Sequence, residues 1–291
     1  MRVVRDFLAR DVGLDFCIDR YINLLTPRRN ASSIYISITT EMSVAMNELT
    51  DKRALVTGAS RGIGAAIALA LADKGADVAI TYERSADRAA EVVRAIEGKG
   101  RKAIAIQADS ADPAAVTRSV NEAVQALGGL DILVNNAAIA LYDAIADVSV
   151  AHIDALLNVN VRSPLLASQA AIPHLKKGGR IISIGSVGAE RIVGDTGTVY
   201  FMTKSALHSL TRGLARELGP RDITVNLVQP GSTNTEMNPD NGDFADFQRA
   251  LIPLGRYGEP QDVAAAVAFL ATPAARQITG AIINVDGGAN T

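Results

Sequence analysis

Tyr200 and Lys204 are the two residues of this chain whose types and spacing point most directly to proton chemistry. They stand four residues apart in a segment with helical periodicity, so their side chains share one helix face. A free phenol has a pKa of about 10, and an ammonium group beside it favours the phenolate and lowers that pKa. The pair predicts a tyrosine that donates or accepts a proton. Alone, such a pair is more often a surface contact, and Ser186, just after a strand, is more often a turn residue.

A glycine-rich stretch at residues 57–64, with the sequence TGASRGIG, supplies the second chemical signal. It follows the apolar run 54–56 and opens a helical Ala/Ile/Leu segment at 65–71. The first turn of a helix carries unpaired N–H groups and the positive end of the helix dipole, so it attracts a phosphate. Gly58, Gly62 and Gly64 allow a tight turn and a close approach of a pyrophosphate. The stretch predicts a dinucleotide-binding turn, although its spacing is not G-x-G-x-x-G and a plain strand-to-helix turn is the alternative.

Six motifs occur together in one order along the chain. They are Thr57-Gly58-x-x-x-Gly62-x-Gly64, Asn135-Asn136-Ala137, Asn160, Ser186, Tyr200-x-x-x-Lys204 and Pro230-Gly231. The combination resembles the short-chain dehydrogenase/reductase family from about Leu49 to the C-terminus. The length of residues 232–258 and the Gly255-Arg256 step are most similar to the 3-oxoacyl-[acyl-carrier-protein] reductase-like branch. Leu165 and Leu166 stand where members of that branch carry the arginine that docks a carrier protein. The sequence therefore does not determine whether the substrate is carrier-bound or a small ketone, aldehyde or sugar-like alcohol.

The resemblance implies a role for each of four catalytic residues. Tyr200 would give a proton to the substrate carbonyl, and Lys204 would lower the pKa of Tyr200 and hold the nicotinamide ribose. Ser186 would orient the substrate oxygen, and Asn160 would hold a water in a proton relay to Lys204. The implied activity is NADPH-dependent reduction of a 3-oxoacyl thioester, ketone or aldehyde to an alcohol by hydride transfer. Two alternatives are a non-catalytic nucleotide-sensing or ligand-binding protein on the same fold, and an NAD-dependent alcohol or sugar dehydrogenase.

The same resemblance implies a cofactor site with NADP(H) favoured over NAD(H). Tyr82 stands where NAD-preferring members carry an acid, and Arg61 is placed like the basic residue that meets a 2′-phosphate. Glu83 is the opposing observation, because a shift of one residue would put it beside the ribose. The implied cofactor-binding residues are Gly58, Ser60, Arg61, Gly62, Ile63, Gly64, Tyr82, Asp109, Ser110, Asn136, Ala137, Tyr200, Lys204, Pro230, Gly231, Thr233 and Thr235.

Apolar and helical segments alternate along the chain from Arg53 onward. Strands are predicted at 54–56, 77–82, 102–107, 132–134, 180–184, 224–228 and 281–285. Helices are predicted at 65–71, 85–97, 113–127, 150–175, 199–218 and 261–270, with a kink or new start at Ser163-Pro164 and a looser polar stretch at 232–258. This alternation predicts a single α/β, doubly wound Rossmann-fold domain at 49–291, whose parallel sheet of about seven strands has helices on both faces.

Residues 1–48 do not continue this pattern and are predicted to be an N-terminal extension. Acidic residues and the lack of an uninterrupted apolar run argue against a signal peptide, a transit peptide and a transmembrane helix. Met42 and Met46 stand where the compact domain is expected to begin. A chain that begins at Met42 is therefore expected to fold and to bind cofactor.

Composition excludes several classes of function. The net charge is −2 and there is no long basic run, so the sequence does not predict the basic surface that binding to nucleic acid or to an anionic membrane requires. Cys17 is the single cysteine, and the three histidines lie far apart, so no metal site is expected. A cytoplasmic location is expected. Helices 163–175 and 199–218 are apolar on more than one side, which favours a homotetramer that pairs through them.

Overall fold

Seven parallel strands form one sheet in the computed structural model, which describes residues 48–291. The predicted N-terminal extension therefore lies outside the described residues, apart from Glu48. The strand order is β3-β2-β1-β4-β5-β6-β7. The first three strands therefore extend from β1 toward one edge of the sheet, and strands β4 to β7 extend toward the other edge. The strands are β1 Arg53–Val56, β2 Asp77–Tyr82, β3 Ala103–Gln107, β4 Ile132–Asn135, β5 Arg180–Ile184, β6 Thr224–Pro230 and β7 Ile282–Val285. The predicted doubly wound parallel sheet is confirmed.

Eight α-helices occur in the described part of the chain, and six of them cover the two faces of this sheet. They are α1 Gly62–Asp73, α2 Ala86–Glu97, α3 Pro113–Leu127, α4 Val150–Leu157, α5 Ser163–Ala171, α6 Thr198–Leu218, α7 Asp243–Ala250 and α8 Pro260–Ala271. Along β1, Ala54 and Val56 pack in a core beneath α1, α2 and α8, whereas Leu55 packs in a core with α3, α5 and α6. Because both faces are covered, the strands are apolar throughout rather than alternating.

The ends of α3 show how local chemistry fixes an element. The Asp112 carboxylate accepts the backbone N–H of Ala114 at 2.9 Å, and Pro113 occupies the first helical turn. The helix ends at Gly128, whose φ of 77° is the left-handed conformation that favours glycine. Its bounds agree with the prediction from sequence.

The predicted long helix at 150–175 is interrupted in its middle. Asn158–Arg162 is a π-helical turn between α4 and α5, and the α-helix resumes at Ser163, where the Ser-Pro step predicted a new start. The Asn160 side chain accepts the Ile139 N–H at 3.0 Å and donates to the Ile139 carbonyl at 2.9 Å. These bonds hold Asn160 toward the loop after β4, and single π-helical turns of this kind frequently mark functional sites.

A helix that the sequence prediction missed lies in the polar stretch after β6. Helix α7 follows Gly242 and has Asp243 and Asp246 in its first turn, which suits the positive end of the helix dipole. Its buried residue, Ala245, packs with Ile252 and Tyr257 beyond the helix. Because α7 buries one residue, its apolar pattern is too weak to be recognised as a helix from sequence. Within residues 48–291, no helix is both long and apolar enough to cross a membrane.

Candidate active site

The glycine turn is joined to the end of β4 by hydrogen bonds. Thr57 Oγ1 accepts the backbone N–H groups of Asn136 at 3.0 Å and Ala137 at 3.1 Å. The Asn136 side chain donates in return to the carbonyls of Thr57 at 2.9 Å and Gly58 at 3.1 Å. Both segments lie at the carboxyl ends of neighbouring strands, where the strand order reverses, and open α/β sheets bind ligands at that point.

The glycine turn has the close packing that a dinucleotide site requires. A Cβ atom on Gly64 would lie 2.5 Å from Asn136 Nδ2, so a side chain there would break the contact between the two loops. Gly62, with φ of +54°, begins α1, and its preceding residue Arg61 makes no side-chain cap to the helix. The N–H groups of the first turn are thus left for an anion. These residues fit a nicotinamide dinucleotide.

Asn160 links the π-helical turn to the helix that carries the predicted acid. Its side-chain amide donates to Thr203 Oγ1 at 3.1 Å, and that hydroxyl donates to the Tyr200 carbonyl at 2.6 Å. Asn160 and Thr203 are both buried. The backbone of α6 near Tyr200 is therefore fixed against the loop after β4.

Tyr200, Lys204 and Ser186 meet beside the end of β5. Lys204 Nζ lies 5.9 Å from the centroid of the Tyr200 ring and donates to the Ile184 carbonyl at 3.1 Å. Ser186 caps a short 3-10 turn, accepts the Gly188 N–H at 3.2 Å, and makes a hydrogen bond with the Tyr200 side chain. The structure thus brings the four predicted catalytic residues, Asn160 included, to one edge of the sheet.

The pKa of Tyr200 differs from the value expected from sequence. Burial raises that pKa above its ordinary value, nearby Tyr142 adds to the increase, and the hydrogen bond with Ser186 opposes it. Burial also lowers the pKa of Lys204 to about 8. The expected lowering of the Tyr200 pKa by Lys204 does not dominate here, because both groups are buried and removal from water disfavours both charged forms.

Two aromatic rings beside Tyr200 were missed by the sequence prediction. The Tyr142 ring lies 5.4 Å from the Tyr200 ring between centroids, and the Phe201 ring lies 5.2 Å from it. A Cβ atom on Gly188 would come within 2.1 Å of the Phe201 ring, and one on Gly197 within 2.6 Å of the Tyr142 ring. These glycines leave room for an aromatic wall at the site. Only the tertiary fold brings Tyr142 there, 58 residues before Tyr200 in the chain.

The end of β2 and the residues near it carry the groups that were predicted to contact the cofactor's ribose. Tyr82 is the last residue of the strand, as predicted, and the Glu83 carboxylate accepts a hydrogen bond from Arg84 Nε at 2.8 Å. Arg61 Nη1 lies 2.6 Å from a carboxylate oxygen of Glu236, and Arg88 Nη1 donates to the other oxygen. Arg61, in the glycine turn, is thus linked through Glu236 to Arg88 on α2, and its contact with a 2′-phosphate stays a prediction.

The other predicted cofactor positions follow β1, β3 and β6. Asp109 and Ser110 follow β3 after one intervening residue, and Asp109 Oδ1 accepts the Ala111 N–H at 2.8 Å. Pro230 ends β6, and a Cβ atom on Gly231 would lie 2.7 Å from Asp286, so the chain passes close to the segment after β7 there. Of the remaining predicted positions, Ser60 lies in the β1–α1 turn, Ile63 lies in the first turn of α1, and Thr233 and Thr235 follow Gly231. No cluster of potential metal ligands occurs among residues 48–291.

Fold and site together define a dinucleotide-fold protein with a Ser, Tyr, Lys and Asn constellation at the edge that binds the cofactor. A family model described as Enoyl-(Acyl carrier protein) reductase matches residues 58–290. The chain is 57% identical to a short chain dehydrogenase of Burkholderia cenocepacia J2315, solved in complex with NADP. That match covers 84% of this chain and 100% of the other, with a TM-score of 0.83.

Two curated proteins extend the comparison. An uncharacterized oxidoreductase of Methylorubrum extorquens is 46% identical over 247 residues, which are 84% of this chain and 99% of that protein. The cyclic-di-GMP-binding biofilm dispersal mediator protein of Escherichia coli is 41% identical over 242 residues, 83% of this chain and 98% of that protein. The chain belongs to the short-chain dehydrogenase/reductase family.

Proposed function

We propose that this protein is an NADPH-dependent reductase that converts a ketone, aldehyde or 3-oxoacyl thioester to an alcohol. The observation that carries the proposal is the meeting of Ser186, Tyr200, Lys204 and Asn160 beside the glycine turn. A pure nucleotide binder has no need of a buried lysine beside a buried tyrosine, since burying both groups costs stability.

The proposed chemistry divides between the cofactor and the chain. When bound, the nicotinamide supplies a hydride to the carbonyl carbon. Tyr200 gives its proton to the carbonyl oxygen, and Ser186 donates a hydrogen bond that holds this oxygen next to the phenol. Lys204 carries a positive charge below its pKa of about 8, which stabilises the phenolate that Tyr200 leaves behind. Asn160 holds the loop after β4 against α6 and, by the family resemblance, positions a water toward Lys204.

Two observations support NADP(H) as the cofactor. The Burkholderia relative was solved with NADP. In this chain the last residue of β2 is Tyr82 rather than an acid, and the adjacent Glu83 carboxylate is paired with Arg84. With no free acid at the strand end, a ribose 2′-hydroxyl loses its usual acceptor, whereas Arg61 offers guanidinium N–H groups to a 2′-phosphate.

Arg61→Ala tests this preference. We expect the KM for NADPH to rise about ten- to a hundredfold and the KM for NADH to change little, because a charge-assisted bond to phosphate is worth roughly 1.5–3 kcal/mol. Arg94→Ala, which removes an equal charge from an exposed side chain in the last turn of α2, serves as the matched control. Equal KM values for the two cofactors in the unsubstituted protein would contradict the assignment.

The substrate we propose has an apolar body attached to its carbonyl. Large apolar side chains are exposed on the segments that follow β4, β5 and β6: Tyr142, Ile192, Val193, Met237, Phe244 and Phe247. These segments follow the carboxyl ends of the strands that carry the site, where Tyr142 and Phe201 already supply aromatic rings, and this favours an apolar ketone or aldehyde over a sugar. Exposed Leu165 stands where a carrier-docking arginine is expected, which weighs against a carrier-bound substrate. Screening apolar carbonyl compounds for NADPH oxidation tests the proposal.

A second candidate function is non-catalytic nucleotide binding, which the similarity to the cyclic-di-GMP-binding protein of Escherichia coli favours. Arg61, Arg84 and Arg88 lie near the end of β2 and could bind the phosphates of several nucleotides. Binding of cyclic-di-GMP together with no turnover of any carbonyl compound would favour this candidate over the reductase.

We also propose a homotetramer in the cytoplasm. Leu165 on α5 and Met202 on α6 are exposed apolar residues on the two helices predicted to pair, and the edge strand β7 is only partly covered. The single cysteine offers no disulfide framework, which suits a reducing compartment. Sedimentation at micromolar concentration is expected to show a tetramer, and a stable monomer there would contradict the proposal.

A further inference from the structure

Arg61, Arg88 and Glu236 form an ion cluster, here called the 236 cluster. One carboxylate oxygen of Glu236 lies 2.6 Å from Arg61 Nη1, and the other oxygen accepts from Arg88 Nη1. The residues come from the β1–α1 turn, the first turn of α2 and the segment after β6. Arg61 and Glu236 are 58% and 54% exposed, so solvent and ligands reach the cluster.

The 236 cluster lies where a doubly wound fold receives the adenosine ribose of its cofactor. Arg61 directly precedes Gly62 at the start of α1, and Arg88 is six residues beyond Tyr82, the last residue of β2. A guanidinium binds a carboxylate and a phosphate through the same planar N–H donors. The Glu236 carboxylate therefore occupies donors that a 2′-phosphate would use.

We propose that Glu236 is an internal competitor for the 2′-phosphate of NADP(H), and that Arg88 joins Arg61 as a second phosphate-binding residue. The inference rests on the proposed function, that is, on the preference for NADP(H). A phosphate monoester carries about −1.5 to −2 charge at neutral pH, which two guanidiniums neutralise when Glu236 has moved away. A cofactor without the phosphate leaves the 236 cluster intact.

Displacement of Glu236 also affects the segment after β6. Glu236 lies within a turn closed by hydrogen bonds between Thr235 and Asn238, in which the Asn238 N–H donates to the Thr235 carbonyl at 3.1 Å. The two ion pairs of Glu236 tie this turn to α2 and to the β1–α1 turn. Arrival of a 2′-phosphate would release both ties, so this segment moves when NADP(H) binds and stays when NAD(H) binds.

Glu236→Gln tests the competition in a binding measurement that needs no turnover. The probes are adenosine 2′,5′-bisphosphate and adenosine 5′-phosphate, each titrated calorimetrically into the full-length protein. We expect Glu236→Gln to bind the bisphosphate about three- to tenfold more tightly, the range that two exposed ion pairs allow, with the 5′-phosphate within about twofold. Arg88→Ala is expected to weaken the bisphosphate about tenfold and to leave the 5′-phosphate unchanged.

Glu91→Gln is the matched control, because it makes the same charge change at an exposed position three residues further along α2 than Arg88. An equal gain in Glu91→Gln and Glu236→Gln would overturn the inference, since general electrostatics would then explain it. No gain in Glu236→Gln, while the unsubstituted protein still prefers the bisphosphate, would overturn the inference alone. Equal binding of the two probes by the unsubstituted protein would overturn the proposed cofactor preference as well.

Discussion

Tyr200→Phe is expected to lower kcat by about a hundred- to ten-thousandfold, the usual contribution of general acid–base catalysis. The substitution removes one oxygen and keeps the ring, so the contacts of Tyr200 with Tyr142 and Phe201 remain. Ser186 still orients the carbonyl, but it cannot readily supply the proton. Turnover of the best substrate found with NADPH, under saturating cofactor, gives the measurement.

Cofactor titration and thermal unfolding serve as the controls for this variant. The dissociation constant for NADPH should change far less than kcat, because the glycine turn and Lys204, which is implied to hold the nicotinamide ribose, are both kept. The melting temperature should also be kept or raised, since a buried phenol is replaced by an apolar ring. Full turnover by Tyr200→Phe would refute the mechanism and favour the nucleotide-binding alternative.

The parts of the fold that could be predicted are those fixed by neighbouring residues. The bounds of α3 follow from Asp112, Pro113 and Gly128, which act within one helical turn of each end. Strand β2 and strand β5 agree with their predicted bounds because each is a short apolar run that is buried on both faces. The seven-strand sheet then follows from strict alternation of strands and helices.

The parts that could not be predicted depend on contacts between distant residues. The π-helical turn at Asn158–Arg162 accompanies the bonds of Asn160 to Ile139, which a helical pattern does not encode. The ion pair between Arg61 and Glu236 joins residues 175 positions apart. The raised pKa of Tyr200 comes from burial, whereas its spacing from Lys204 alone predicted a lowered value. Sequence therefore identified the chemical groups but not their environment.

Lys204→Met is expected to change activity and stability in opposite directions. The Lys204 side chain is 4% exposed, and burial lowers its pKa from the ordinary value of 10.5 to about 8. At pH 7 the ammonium is charged in both the folded and the unfolded chain, so its burial lowers the free energy of unfolding by up to about 3 kcal/mol. Methionine has a similar length and no charge, but it leaves the Ile184 carbonyl without the Lys204 donor.

We therefore expect Lys204→Met, without cofactor, to have a free energy of unfolding up to about 2 kcal/mol higher at pH 7, because the lost hydrogen bond to Ile184 offsets at least about 1 kcal/mol of the gain, while kcat falls at least about a hundredfold. Between the folded pKa of about 8 and the unfolded value of 10.5, the unfolded chain binds more protons. The stability of the unsubstituted protein therefore rises with pH, and the difference between the two proteins should narrow over that window. Denaturant unfolding from pH 7 to pH 10 measures this, with Lys176→Met, at an exposed lysine, as control. If Lys204→Met is instead less stable at pH 7, by an amount independent of pH, then burial of the charged Lys204 does not lower the free energy of unfolding and the prediction is wrong.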